Sequence, residues 1–135
     1  LALGASAAQM GTAFLLADEA VTSRPWRRAA AEAGDEATRL TRAFTGRYAR
    51  GVENRFMRLM HGVEEEVPAY PVQNRLTQPL RAAAAKADDP EMISLWAGQG
   101  VKLAQAGSAE AMVQRWWAEA RAAADELSAR TGRAD

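Results

Sequence analysis

The sequence predicts a mostly α-helical chain with one or two short strands, and three observations carry that reading. Apolar residues recur at intervals of four and three along the last third of the chain, at Met112, Trp116, Ala120, Ala123 and Leu127, which draws one stripe on a helix. Extended structure is suggested at two places only, the small-residue stretch "SAAQM" at 6–10 and the Gly- and β-rich stretch "TRAFTGRYARGV" at 41–52. The length of 135 residues, 48% of them hydrophobic, suffices for one ordinary core but not for a complete (β/α)8 barrel of about 250 residues.

The first seventeen residues, "LALGASAAQMGTAFLLA", contain no charge although a quarter of the chain is charged. A secretory signal would place a methionine and a basic stretch ahead of a compact apolar region, and this segment has neither. A spanning helix needs roughly 20 predominantly apolar residues, whereas Gly4, Ser6, Gln9, Gly11 and Thr12 interrupt this one. Burial inside protein is the remaining expectation, with the chain either processed or the tail of a longer polypeptide. "LAL" reads as a helix end stopped by Gly4, "SAAQM" as a strand buried between layers, and "AFLLADEA" as the start of a helical turn. Gly11 would let backbone approach a ligand, and free N–H groups at the turn would favour an anion.

A helix then starts at Ser23 or Arg24, with Pro25 in its first turn, and runs to Gly34. Residues 41–52 read as extended structure with a turn at Gly46. "NRFMRLMHG" returns to helix with Phe56, Leu59 and Met60 on one face, and prolines 68 and 71 make "EEEVPAYPV" a loop. "NRLTQPLRAAAAKA" is helical up to Asp88. Asp89 as cap and Pro90 then start a helix through "EMISLWAGQGVKLAQAG", in which Gly98 and Gly100 suggest a break or a close contact. Ser108 caps the last helix, whose stripe and Trp116–Trp117 pair are expected to pack against a parent domain.

Several chemistries are excluded or weak. Seventeen basic and seventeen acidic residues cancel, so no global field favours nucleic acid or an anionic membrane. The local cluster "RPWRR" leaves an anion site open but reads first as a solvated helix face. With no cysteine, thiolate catalysis, disulfides and Cys-based zinc sites are out, which suits a cytoplasmic location. His61 is the only histidine and reads as a helix-end residue. Glu64, Glu65 and Glu66 read as a solvated run.

Four stretches, in this order and spacing, resemble the C-terminal portion of bacterial nitronate monooxygenases, the FMN enzymes also called 2-nitropropane dioxygenases: "ALGASAAQMGTAFLLADEA", "FTGRYARGVENRFM", "AYPVQNRLTQPLRAAA" and "SLWAGQG". The resemblance reaches to about Leu103. It implies a C-terminal fragment of an α/β (β/α)8 barrel plus a helical domain, with residues 1–40 as the last strand–helix unit of the FMN-binding barrel and 41–135 as a mostly helical C-terminal region. It further implies that Gln9, Met10, Gly11 and Thr12 match the family's phosphate-holding turn after the last strand, where phosphate sites of such barrels commonly lie. Arg50, Asn54, Trp96 and Gln99 would then fix the tail against the barrel.

The activity implied is oxidation of alkyl nitronates with oxygen to carbonyl compounds and nitrite, with FMN doing the redox chemistry. No catalytic residue of that family falls within the chain, because its histidine does not match His61, so the missing barrel portion would be its necessary partner. Two other readings stay open. One is a related FMN-dependent reductase of quinones or enoyl thioesters using a nicotinamide donor; the other is a non-catalytic helical interaction module.

Overall fold

The computed structural model describes residues 4–132, so the helix end expected at Leu1–Leu3 lies outside the described residues. A 3-10 turn at Thr12–Leu16 is followed by α1 (Arg24–Ala31), a hairpin of β1 (Thr38–Thr41) and β2 (Ala49–Val52), and α2 (Arg55–Met60). A short 3-10 turn at Glu64–Glu66 leads into α3 (Val72–Lys86). Two more 3-10 turns, Pro90–Met92 and Gln99–Leu103, precede the long α4 (Ala109–Thr131). The described chain is thus mostly helical with one two-stranded antiparallel sheet, registered from Thr38 opposite Val52 to Thr41 opposite Ala49.

The chain turns at Gly46 as expected and β2 falls within the 41–52 stretch, but β1, Thr38–Thr41, starts ahead of it. Gly46 has φ +80°, and a Cβ there would stand 2.3 Å from the Pro68 carbonyl oxygen; only glycine lets the turn and the following loop cross so closely. The turn's carbonyls face α3, whose buried face is accordingly polar. Gln73 Nε2 donates to Ala43 O at 2.6 Å and Thr77 Oγ1 to Phe44 O at 2.6 Å, so burial leaves these groups satisfied. The acidic run is not simply solvated. Glu64 accepts from Thr41 Oγ1 at 2.7 Å and from the Arg42 N–H at 3.2 Å, while Glu65 bonds Arg42 and Tyr48.

The largest departure from the sequence expectation lies between residues 90 and 107. Asp89 does cap a turn, accepting from the Glu91 N–H at 2.9 Å, but the helix stops at Met92. Ile93, Leu95 and Ala97 are buried in alternation with half-buried Ser94 and Trp96, the period of an extended segment. This strip runs along β2: Val52 N donates to Leu95 O at 2.8 Å, and Ala97 N to Arg50 O at 3.1 Å. A Cβ on Gly51 would meet Leu95 O at 2.8 Å, so the close pairing requires glycine there. Hydrogen bonding to β2 and side-chain burial together outweigh helix propensity across 93–97, and Gly98 and Gly100 keep Gln99–Leu103 to a 3-10 turn.

The core gathers Leu16, Trp26, Ala30, Val52, Ala84, Ile93, Leu95, Ala97 and Val101. Around it, two further expectations are corrected, on α2 and in "RPWRR", while those for "SAAQM" and the α4 stripe involve neighbours outside this chain. The "SAAQM" stretch has no strand partner among the described residues and is exposed; without a neighbour to pair its N–H and C=O groups, it turns them to solvent. On α2 the buried residue is Met57, whereas Leu59 faces solvent, because Asn54 sets the start and rotation of that helix. Within this chain the α4 stripe packs at its start, through fully buried Met112 and half-buried Trp116, while Ala120, Ala123 and Leu127 are exposed, the face that the expected packing against a parent domain would cover. In "RPWRR", Arg27 is no solvated face residue: its guanidinium donates to Leu16 O, Ala17 O and Ala20 O at 3.2, 2.6 and 3.1 Å, tying off the carbonyl end of the Thr12–Leu16 turn.

Asn54 locks the strip to α2. Its Oδ1 accepts from Met57 N at 3.2 Å as the helix N-cap, and its Nδ2 donates to Pro90 O at 2.9 Å and Ile93 O at 2.8 Å, with the residue 2% exposed. Replacing it with alanine removes the cap and leaves buried carbonyls unpaired. In the full-length protein carrying this sequence, Asn54→Ala is expected to cost about 3 kcal/mol, read from the shift in denaturant midpoint; a loss below about 1 kcal/mol would contradict the lock.

At the start of α4, Ser108 Oγ accepts from Ala111 N at 3.2 Å and the Glu19 carboxylate from Ala109 N at 2.9 Å. The Ala109 N–H, and then Glu19's own, hold the Glu19 carboxyl below its ordinary pKa. A lowered carboxyl pKa means that the contribution is complete above the ordinary value and is lost as pH falls through the lowered one. Amide exchange at Ala109–Ala111, corrected for intrinsic rates, should therefore lose protection on acidification across that interval. Glu19→Gln should make the protection flat with pH there; an unchanged profile in that variant would remove Glu19 as the cause.

Candidate functional site

The turn at Gln9–Thr12 forms one wall of an open groove of about 520 Å³. The opposite walls come from the Gln99–Leu103 turn with Ala104 and Gln105, and from α4 through Arg115, Trp116 and Glu119. All four residues singled out from the sequence, Gln9, Met10, Gly11 and Thr12, therefore line one groove.

The geometry of this wall follows from what surrounds it. Thr12 Oγ1 accepts the Gly98 N–H at 2.8 Å, which anchors the turn to the strip and leaves the hydroxyl proton free to be donated. Among the described residues the N–H groups of Gly11 and Thr12 have no hydrogen-bond acceptor. No heavy atom lies within 4 Å of where a Cβ on Gly11 would sit, so the space above the backbone is open. Behind the turn, Phe14 meets Trp116 edge to face at 5.1 Å between centroids, joining the turn to α4. The arrangement presents neutral N–H and O–H donors to a groove large enough for a phosphate-sized anion and part of what it is attached to.

The other residues picked out for the tail do not line this groove, and of them only Asn54 is buried. Arg50 Nη1 donates to Thr38 O at 3.2 Å and Asn54 is the lock described above. Trp96 packs edge-on against Phe44 at 5.7 Å. Gln99 is exposed at the start of its turn. His61 follows α2 and borders a shallow groove with Arg39, Glu64 and Glu65; among the described residues no group of acidic or histidine side chains could hold a metal ion. No helix among them is long and apolar enough to cross a membrane.

Sequence reasoning missed Arg115 and Glu119, which complete the groove. Their signal was the i, i+3, i+4, i+7 spacing of Met112, Arg115, Trp116 and Glu119, which puts the charged pair on the side of α4 that turns inward.

Comparison with known proteins assigns this architecture to a family. The family model described as nitronate monooxygenase matches residues 1–119. A probable nitronate monooxygenase of Staphylococcus saprophyticus is 40% identical over 114 residues, covering 84% of this chain and 32% of that protein. One from Staphylococcus aureus (strain Newman) is 43% identical over 104 residues, 77% of this chain and 29% of that protein. Among solved structures, a nitroalkane oxidase from Streptomyces ansochromogenes superposes with TM-score 0.86 at 47% identity, over 94% of this chain and 36% of that one. FabK from Thermotoga maritima superposes with TM-score 0.76 at 25% identity, over 96% and 41%. The chain spans about a third of the length of the curated relatives it matches. With the family model covering the turn, the hairpin, the strip and the first half of α4, the chain belongs to the nitronate monooxygenase family.

Proposed function

We propose that the Gln9–Thr12 turn holds the phosphate of FMN within a (β/α)8-barrel enzyme that oxidises alkyl nitronates with oxygen to carbonyl compounds and nitrite. The observation that carries this reading is the pair of unengaged N–H groups at Gly11 and Thr12 beside a hydroxyl whose lone pair is already committed to Gly98. Such a donor set suits an anion with several acceptor oxygens.

In this role the residues divide the work. The Gly11 and Thr12 N–H groups and the Thr12 O–H donate to phosphate oxygens, and the missing Cβ at Gly11 admits the ligand close to backbone. Gln9 and Met10 line the approach. The Gly98 bond fixes the Thr12 rotamer, so the hydroxyl is oriented before the ligand arrives. Bound flavin supplies the electron transfer between nitronate and oxygen, and the protein supplies its position and surroundings. In this reading Ser6–Met10 pairs as the last barrel strand, and residues outside this chain supply proton transfer to and from substrate. The enzyme works on small molecules in the cytoplasm.

A second reading, a flavin-dependent reductase using a nicotinamide donor, draws on the superposition with FabK, which is less identical than the nitroalkane oxidase. The two are separated by assaying the full-length protein carrying this sequence. The monooxygenase reading expects oxygen uptake and nitrite release on adding an alkyl nitronate, and little NADH-dependent reduction of quinones or enoyl thioesters. The opposite pattern would replace it with the reductase.

A further inference from the structure

We infer that Arg115 of α4 is the counter-charge for the flavin phosphate at the Gln9–Thr12 turn, and that Glu119 holds its guanidinium at the groove until the phosphate displaces it; this rests on the reading of that turn given above.

Two contacts set the rotation of α4. Met112 is buried to 1% exposure and Trp116 meets Phe14 edge-on at 5.1 Å, so Arg115 and Glu119, one step round the same face, line the groove opposite Gly11 and Thr12. Of the residues lining it, Arg115 is the one cation and Glu119 the one anion. Arg115 Nε stands 3.7 Å from Glu119 Oε1, beyond hydrogen-bond reach, and the guanidinium makes no hydrogen bond among the described residues. Several arginines elsewhere in the fold are bound in place, Arg27 on three carbonyls, Arg58 on Glu91 and Arg81 on Asn74; others, such as Arg24 and Arg75, are as free as Arg115 among the described residues, and Arg115 is set apart by its place in the groove. A half-buried arginine facing a set of anion donors, held only by a loose i, i+4 partner, has its hydrogen-bonding capacity free for a ligand.

Electrostatics supply the reason. A phosphate monoester carries between one and two negative charges near neutral pH, and the turn offers only neutral donors. Moving that charge into a groove partly screened from water is unfavourable without a cation nearby. The planar guanidinium can take two phosphate oxygens at once. Glu119 opposes the same anion, so its presence lowers affinity while keeping Arg115 at the groove in the free protein.

The test uses the full-length protein carrying this sequence, titrated with FMN and with riboflavin, which shares the ring but lacks the phosphate. Wild-type protein should bind FMN well over tenfold tighter. Arg115→Gln should weaken FMN binding at least about tenfold, leave riboflavin binding within about twofold and flatten the salt dependence of FMN binding. Arg115→Lys should recover part of the loss, and Glu119→Gln should tighten FMN binding. If Arg115→Gln weakens both flavins equally, or neither, Arg115 is not the counter-charge. If wild-type protein does not prefer FMN to riboflavin, the turn itself is not a phosphate site, a failure distinct from that of Arg115.

Discussion

The pairing of the Ile93–Gly98 strip with its neighbours on two sides is the constraint on which the rest of the structure depends. On one side its backbone bonds to β2 at Leu95 and Ala97; at its end Gly98 N donates to Thr12 Oγ1. Asn54 fastens its beginning through Pro90 O and Ile93 O. A strip fixed at both ends places Gly98 where only one orientation of the Thr12 hydroxyl satisfies it, so the hairpin, through the strip, positions the groove wall. The glycine at position 51 is what lets the strip lie against β2, with Leu95 O where a side chain would begin.

The second support of the groove is local and comes from chain ends tied off by charged side chains. Arg27 takes the carbonyls that close the Thr12–Leu16 turn, and Glu19 takes the first N–H of α4. Both bonds meet groups that a helical turn leaves unpaired at its ends. The turn and α4 are thereby set against each other before the Phe14–Trp116 contact packs them. A formal net charge of zero hides this use of individual charges, and what matters at the groove is one arginine and one glutamate four residues apart, not a global field.

Much of this was legible in the sequence because it depends on short-range chemistry. Gly46 and the β-rich flanks gave the hairpin its turn, Ser108 and Asp89 fixed two caps, and the "QMGT" motif led to a turn whose four residues do line one groove. What escaped was set by partners distant in sequence. Ile93–Ala97 alternates apolar and other residues over only five positions, too few to outweigh the cap and helix-forming context ahead of it, and its strand-like form comes from β2 some 45 residues earlier. Ser6–Met10 looked like a strand on composition, yet strands need a neighbour and it has none among the described residues. Arg27 and Arg115 were unreadable for a related reason: an arginine's role is decided by what its long side chain reaches, and the three carbonyls and the groove are assembled only by folding.

The claim at the centre of this account is that the Gln9–Thr12 turn is the phosphate end of a flavin site. A crystal structure of the full-length protein carrying this sequence, grown with FMN, tests it most directly. Phosphate oxygens are expected within hydrogen-bond distance of the Gly11 and Thr12 amide nitrogens and of Thr12 Oγ1, with the Gly98 bond retained. Flavin bound with its phosphate at another turn, and Gly11 and Thr12 facing only solvent, would contradict it.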